Sequence, residues 1–189
     1  ERGHLRPLSQ GQSTPNRKER EMGSKTRKLG RGVAIVGGAM TRFGVFPEKN
    51  SRDLMAEAFD QALQSVDKGI DPAEMEALYV GNFSADQFED QSHLGHLIAD
   101  WLGLAPRPAT RVEGACASSG LAFRQGLMAV ASGMHDVVLV GGVEVMSGAN
   151  TEQVQDYLAS AGDVPMEVDQ GAFTFPGLYA AMSSAYMAR

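Results

Sequence analysis

Hydrophobic patterning begins at Val33. Val33-Ala34-Ile35-Val36 is a short apolar run closed by Gly37-Gly38, and such a run bounded by turn residues predicts a buried strand. A polar loop punctuated by Gly and Pro leads to Asn50. Leu54, Met55, Ala58, Phe59, Ala62, Leu63 and Val66 then recur at spacings of three and four, which predicts an amphipathic helix capped by Asn50 or Ser51. Asp71-Pro72-Ala73-Glu74 is a helix-start signal, with Pro at the first position and Glu at the third. The helix it opens must be very short, because Leu78-Tyr79-Val80-Gly81 predicts a second strand.

Residues 91–103 form another amphipathic stretch through Leu94, Leu97, Ile98, Trp101 and Leu102, closed by Pro106 and Pro108. Thr110-Arg111-Val112 predicts a short third strand. A helix follows from Ser118 to about Ser132, carrying Leu121, Ala122, Phe123, Leu127 and Val130 and ended by Gly133. Val137-Val138-Leu139-Val140 with Gly141-Gly142 predicts a fourth strand that echoes the first. Beyond Gly142 the pattern weakens into a Met- and Gly-containing region, with a further helix expected near residues 176–189. Strands alternating with helices predict an α/β fold with a largely parallel sheet.

Composition fits one ordinary soluble domain, or a piece of a larger one: 189 residues, 43% hydrophobic, net charge −6. The charge is split. Residues 1–32 carry nine Lys/Arg against three Asp/Glu, or +6, and residues 33–189 carry eight against twenty, or −12. An acidic body does not suit nucleic acid, and the basic head over residues 1–32 reads as a solvated tail. Residue 1 is Glu and the first methionine is Met22, so residues 1–21 are expected to lie upstream of a true start. No uninterrupted apolar run reaches the roughly 18–20 residues of a membrane span, and the first residues lack the apolar core of a signal peptide. A single cysteine cannot form an internal disulfide and fits a cytoplasmic setting.

That cysteine lies in Arg111-Val112-Glu113-Gly114-Ala115-Cys116-Ala117-Ser118-Ser119-Gly120. A predicted strand runs into small residues, then Cys116, then a helix, which has the form of a nucleophile elbow. A thiol before a helix N-terminus faces the positive end of the dipole and free N–H groups, conditions that favour the thiolate and could hold an oxyanion. From the turn alone two readings stand, a reactive nucleophile and a small buried apolar side chain. Gly37-Gly38 and Gly141-Gly142 match no nucleotide-binding glycine pattern and read as tight turns. No metal-ligand spacing occurs.

Four blocks carry a family resemblance. They are Val33-Ala34-Ile35-Val36-Gly37 with Thr41-Arg42-Phe43-Gly44; His93-Leu94-Gly95-His96-Leu97-Ile98-Ala99-Asp100; Glu113 to Gly120; and Val140-Gly141-Gly142-Val143-Glu144-Val145-Met146. With Phe175-Pro176-Gly177-Leu178-Tyr179-Ala180, the stretch from Val33 to Arg189 resembles the thiolase family, in particular the sterol-carrier-protein-type and archaeal acetyl-CoA acetyltransferase branch. The resemblance implies a thiolase N-terminal half over residues 33–189, a mixed, mostly parallel sheet with helices on both faces, truncated at its C-terminus. It implies an acyl-CoA acyltransferase of lipid metabolism in which Cys116 carries the acyl group as a thioester, with coenzyme A thioesters as substrates and no permanently bound cofactor.

The same resemblance implies a homodimer or tetramer, and as partners a hydroxymethylglutaryl-CoA synthase and a small zinc-ribbon/OB-type protein. Two alternatives remain: another condensing enzyme of the same fold (a ketoacyl synthase or hydroxymethylglutaryl-CoA synthase), and a non-catalytic thiolase-like scaffold. The family's Gly-His-Pro histidine and Cys-x-Gly cysteine have no counterpart among His4, His93, His96, His135 and the single Cys116, so this chain alone is expected to be inactive. It is also expected to expose a sheet edge and an apolar helix face, and to be poorly soluble without a partner. Met146, Met166, Met182 and Met187, with Phe173 and Tyr179, are candidates to line an acyl pocket; ordinary packing explains them equally well.

Overall fold

A computed structural model describes residues 29–168 and 174–189; the expectations for residues 1–28, His4 and Met22 included, and for Phe173 lie outside them. Helix α1 (Ser51–Gln64) begins where Asn50 accepts the N–H groups of Arg52 and Asp53, while Asp53 reaches back to the Asn50 N–H. That reciprocal cap satisfies donors a helix start leaves orphaned. Asp71 caps a single 3₁₀ turn, Pro72–Glu74, in the same way, and strand β1 (Ala77–Gly81) follows. Next come a short helix α2 (Ala85–Phe88), helix α3 (Leu94–Trp101) and strand β2 (Ala109–Val112). Helix α4 (Ser118–Ala131), strand β3 (Val138–Gly142), and helices α5 (Thr151–Ala159) and α6 (Phe175–Met187) complete the order.

The strands form one sheet in the order β2-β1-β3, parallel throughout. Leu78 lies opposite both Ala109 and Leu139, and Gly81 opposite both Val112 and Gly142. Parallel neighbours need crossover connections; α3 lies on one and α4 on the other. Alternation along β1 divides the two faces. Leu78 and Val80 pack with Met55 and Phe59 of α1 and Leu94 and Ile98 of α3. Tyr79, Val138 and Val140 meet α4 at Gly126, where an added β-carbon would lie 3.3 Å from a Val138 methyl. The α/β class and the helices on both faces are as the sequence implies.

Three expectations are corrected. The apolar run Val33–Val36 joins no ladder, and Ile35 is 76% exposed. It is fastened at both ends. The Arg31 guanidinium donates to the carbonyls of Val130 (2.6 Å) and His135 and pairs with Asp136 (2.6 Å); the Gly38 N–H donates to Ser65 Oγ at 2.9 Å. Between these anchors it faces β3 and α1 across a cavity of about 1250 Å³. A strand requires a neighbouring backbone at ladder distance, and here the cavity separates the two, so apolar composition does not suffice. The region after Gly142 contains a capped helix, α5, in which Asn150 accepts the Gln153 N–H and Gln153 accepts that of Asn150. The stretch at 91–103 is helical only from Leu94 to Trp101, and Gly103, at φ 70°, turns the chain out of it.

Candidate functional site

Strand β2 ends at the buried Val112, and the next four residues make the turn. Glu113 accepts the Ala115 N–H at 2.6 Å. The Gly114 N–H donates to Ser118 Oγ at 3.0 Å, and Ser118 Oγ donates to the Ala115 carbonyl at 2.7 Å. The Ala117 N–H closes on the Gly114 carbonyl at 2.9 Å. The result is one 3₁₀ turn, Ala115–Ala117, running directly into α4. Ala115 sits at φ 49°, the left-handed region that disfavours a residue bearing a β-carbon. Local hydrogen bonds therefore hold a strained residue immediately before the thiol.

Cys116 is exposed in this chain. No side chain caps the start of α4, whose Ser118 N–H closes on the Ala115 carbonyl, and the helix presents its positive end beside the cysteine. The turn is seated on the sheet. A β-carbon on Gly81 would lie 2.5 Å from the Ser119 backbone nitrogen, and one on Gly142 would lie 2.9 Å from the Ser119 β-carbon. Only glycine at the ends of β1 and β3 lets the first turn of α4 approach so closely.

Beside this turn the sequence reading missed a polar cluster. Glu144, just past β3, accepts hydrogen bonds from the Phe83 N–H (2.8 Å), the Ser84 N–H (3.2 Å) and Asn82 Nδ2 (3.1 Å). Asn82 Nδ2 also donates to the Val143 carbonyl at 2.8 Å, and the Asn82 N–H donates to the Val112 carbonyl at 3.2 Å. From β2, Arg111 donates to the Phe83 carbonyl and to Asp86, at 2.6 and 2.7 Å. Burial pushes the Glu144 carboxyl above its ordinary value, against the three hydrogen bonds it accepts. The Arg111 hydrogen bond holds the Asp86 carboxyl below its ordinary value. The signal was present in the sequence: an acid two residues past an apolar strand and its two closing glycines lies at the carboxyl end of a parallel strand, where such sheets build sites.

The remaining candidates lie elsewhere. His93 and His96 stack on each other at the start of α3, ring centroids 4.3 Å apart, and His135 pairs with Glu76 at 3.3 Å. Tyr179, Met182 and Met187 are exposed on α6, and Met166 is exposed as well. Met146 borders the large cavity, which Cys116 does not line. Among the described residues, no group of three or more His, Cys, Asp or Glu could hold a metal, and no helix is long and apolar enough to cross a membrane.

The family described as "Thiolase, N-terminal domain" matches residues 33–188. The "Acetyl-CoA acetyltransferase" of Methanothermobacter thermautotrophicus is 46% identical over 157 residues, 83% of this chain and 40% of that protein. The "Acetyl-CoA acetyltransferase" of Methanocaldococcus jannaschii is 47% identical over 157 residues, covering 83% and 39%. The chain thus spans about 40% of the length of these curated relatives. A match over nearly the whole patterned region, on a parallel α/β sheet that turns through Cys116, is decisive: the chain belongs to the thiolase family, over that family's N-terminal domain.

Proposed function

We propose that the protein acts as an acyl-CoA acyltransferase of the thiolase type, with Cys116 as the residue that carries the acyl group. The observation that carries this reading is the exposed thiol on a strained strand–turn–helix junction beside the uncapped start of α4. In thiolysis the Cys116 thiolate attacks the 3-keto carbon of a 3-ketoacyl-CoA. The bond between C2 and C3 breaks, and its electron pair leaves on the acetyl-CoA fragment, which takes a proton. The acyl group remains on Sγ as a thioester until the thiol of a second coenzyme A removes it; condensation runs the steps in reverse. The positive end of α4 beside Cys116 favours the oxyanion of each tetrahedral intermediate. Acetoacetyl-CoA and acetyl-CoA are the substrates the relatives' names suggest.

Among the described residues no histidine is paired with Cys116. The described histidines are engaged with each other or with Glu76, and a nucleophile lacking its base is slow. The family resemblance assigns the base and the second acid/base group to Gly-His-Pro and Cys-x-Gly motifs that residues 1–189 do not contain, and the same reading gives the protein a homodimer or tetramer and a complex with a synthase and a zinc-ribbon/OB-type protein. A cytoplasmic setting follows from the same reading. The test is incubation with acetoacetyl-CoA and peptide mass spectrometry of the Cys116 peptide. Acetylation of Cys116, stronger in the presence of the rest of the thiolase, supports the assignment. Folded protein that stays unacylated with all partner chains present refutes it and leaves the scaffold reading.

A further inference from the structure

Glu144 has no place in the acyl-transfer chemistry, and its surroundings give it another. Its carboxylate takes the N–H groups of Phe83 and Ser84 and the side-chain amide of Asn82, so it fixes the turn that leaves β1. Arg111 also grips that turn, through the Phe83 and Asn82 carbonyls and Asp86. The Asn82 N–H in turn holds the Val112 carbonyl, the point at which β2 departs toward Cys116. The Val143 N–H donates to the Gly81 carbonyl at 3.1 Å, which ties the end of β3 to the end of β1. Gly81 and Gly142, the last residues of those two strands, are the floor on which Ser119 rests.

We propose that Glu144 is a positioning residue for the nucleophile: it locks the carboxyl ends of the three strands at the spacing that seats the Cys116 turn and the first turn of α4. The assignment rests on the reading of Cys116 as the acyl carrier, but its geometry stands apart from that reading. The two carboxyl oxygens suit the site because three donors converge on them. Glutamine has nearly the same shape, but its NH₂ group would face backbone N–H groups. A small displacement of a reacting atom costs much in rate, roughly a hundredfold for about 1 Å.

The experiment compares the full chain with Glu144→Gln and, as a control, Glu76→Gln. Glu76 accepts the Asp136 N–H at 2.7 Å and pairs with His135 at the opposite end of the sheet, so its loss weakens the fold away from the cysteine. Each protein is melted by circular dichroism. Cys116 is then alkylated with iodoacetamide across a pH series, well below each melting midpoint. Expected is a rate roughly tenfold below that of the parent for Glu144→Gln, with a displaced pH profile, while Glu76→Gln keeps the parent rate and profile despite a lowered midpoint. Parent-like alkylation in Glu144→Gln overturns the proposal, as does an equal change in both variants. If Glu144→Gln does not fold, Asn82→Ala, which removes one of the three donors and leaves the carboxylate, replaces it under the same two criteria. Alkylation needs no acyl-CoA, so a failure of Cys116 to acetylate would sink the proposed function and leave this comparison to decide the role of Glu144.

Discussion

Ser119 lies against Gly81 so closely that a β-carbon on the glycine would stand 2.5 Å from the serine's backbone nitrogen. The obstacle is backbone, which has no flexible end to swing aside. Gly81→Ala is therefore expected to lift the start of α4 from the sheet and to cost about 1–3 kcal/mol, the usual range for overpacking. Urea denaturation would show this as a lower midpoint at unchanged slope. Gly120→Ala, in the same helix turn but facing open space, should leave the midpoint within about 0.5 kcal/mol of the parent or slightly above it.

Ala115 stores strain at φ 49°. Valine there would add a branched β-carbon to a left-handed backbone, and destabilisation of roughly 1–3 kcal/mol is expected. Glycine accepts that conformation freely but raises the entropy of the unfolded chain, so Ala115→Gly should change stability by less than about 1 kcal/mol. Equal losses in both variants would show that this backbone geometry is not the source of the effect.

Cys116 is exposed, so Cys116→Ser should leave the melting midpoint close to the parent, within about 0.5 kcal/mol of stability. It should at the same time abolish all thiol labelling, because the chain has one cysteine. A large loss of stability would mean that the thiol is packed and would weaken its assignment as a nucleophile.

Asp86 and Glu144 flank the same turn and respond to pH with opposite sign. The Arg111 hydrogen bond lowers the folded value of Asp86 from 3.8, so the stability it contributes is present above pH 3.8 and is lost as pH falls through the folded value. Burial raises the folded value of Glu144 from 4.5; its contribution is present below pH 4.5 and is lost as pH rises through the folded value. The stability gap between parent and Asp86→Asn should therefore close on acidification, while that between parent and Glu144→Gln should widen. Urea midpoints across a pH series measure both, and gaps that move in the same direction would contradict the assignments.

Apolar side chains are displayed on three segments. Ile35 and Phe43 are exposed beside the large cavity, Phe123 and Met128 on α4, and Tyr179 and Met182 on α6. Patches on this scale mark surfaces that meet a partner or promote association. The 189-residue chain by itself is expected to bind an apolar fluorescent dye. A monomer that binds no dye would count against this.

How much was legible follows from the range of each interaction. Asn50 and Asp71 announce their caps, the spacing from Leu54 to Leu63 announces α1, and small residues around Cys116 announce the turn, because each signal acts over a few neighbouring residues. The ordered blocks from Val33 onward also placed the chain in its family, since such a series survives being read as letters alone. Only the folded chain decided the rest. Val33–Val36 has the composition of a strand, yet a ladder needs a second backbone alongside, and sequence does not say that a cavity stands there. Glu144, Asn82 and Arg111 are far apart in the chain and acquire a common purpose only when the parallel register carries their strand ends to one edge of the sheet. Sequence determined the local turns and the setting of Cys116, while long-range pairing decided which polar groups surround that setting.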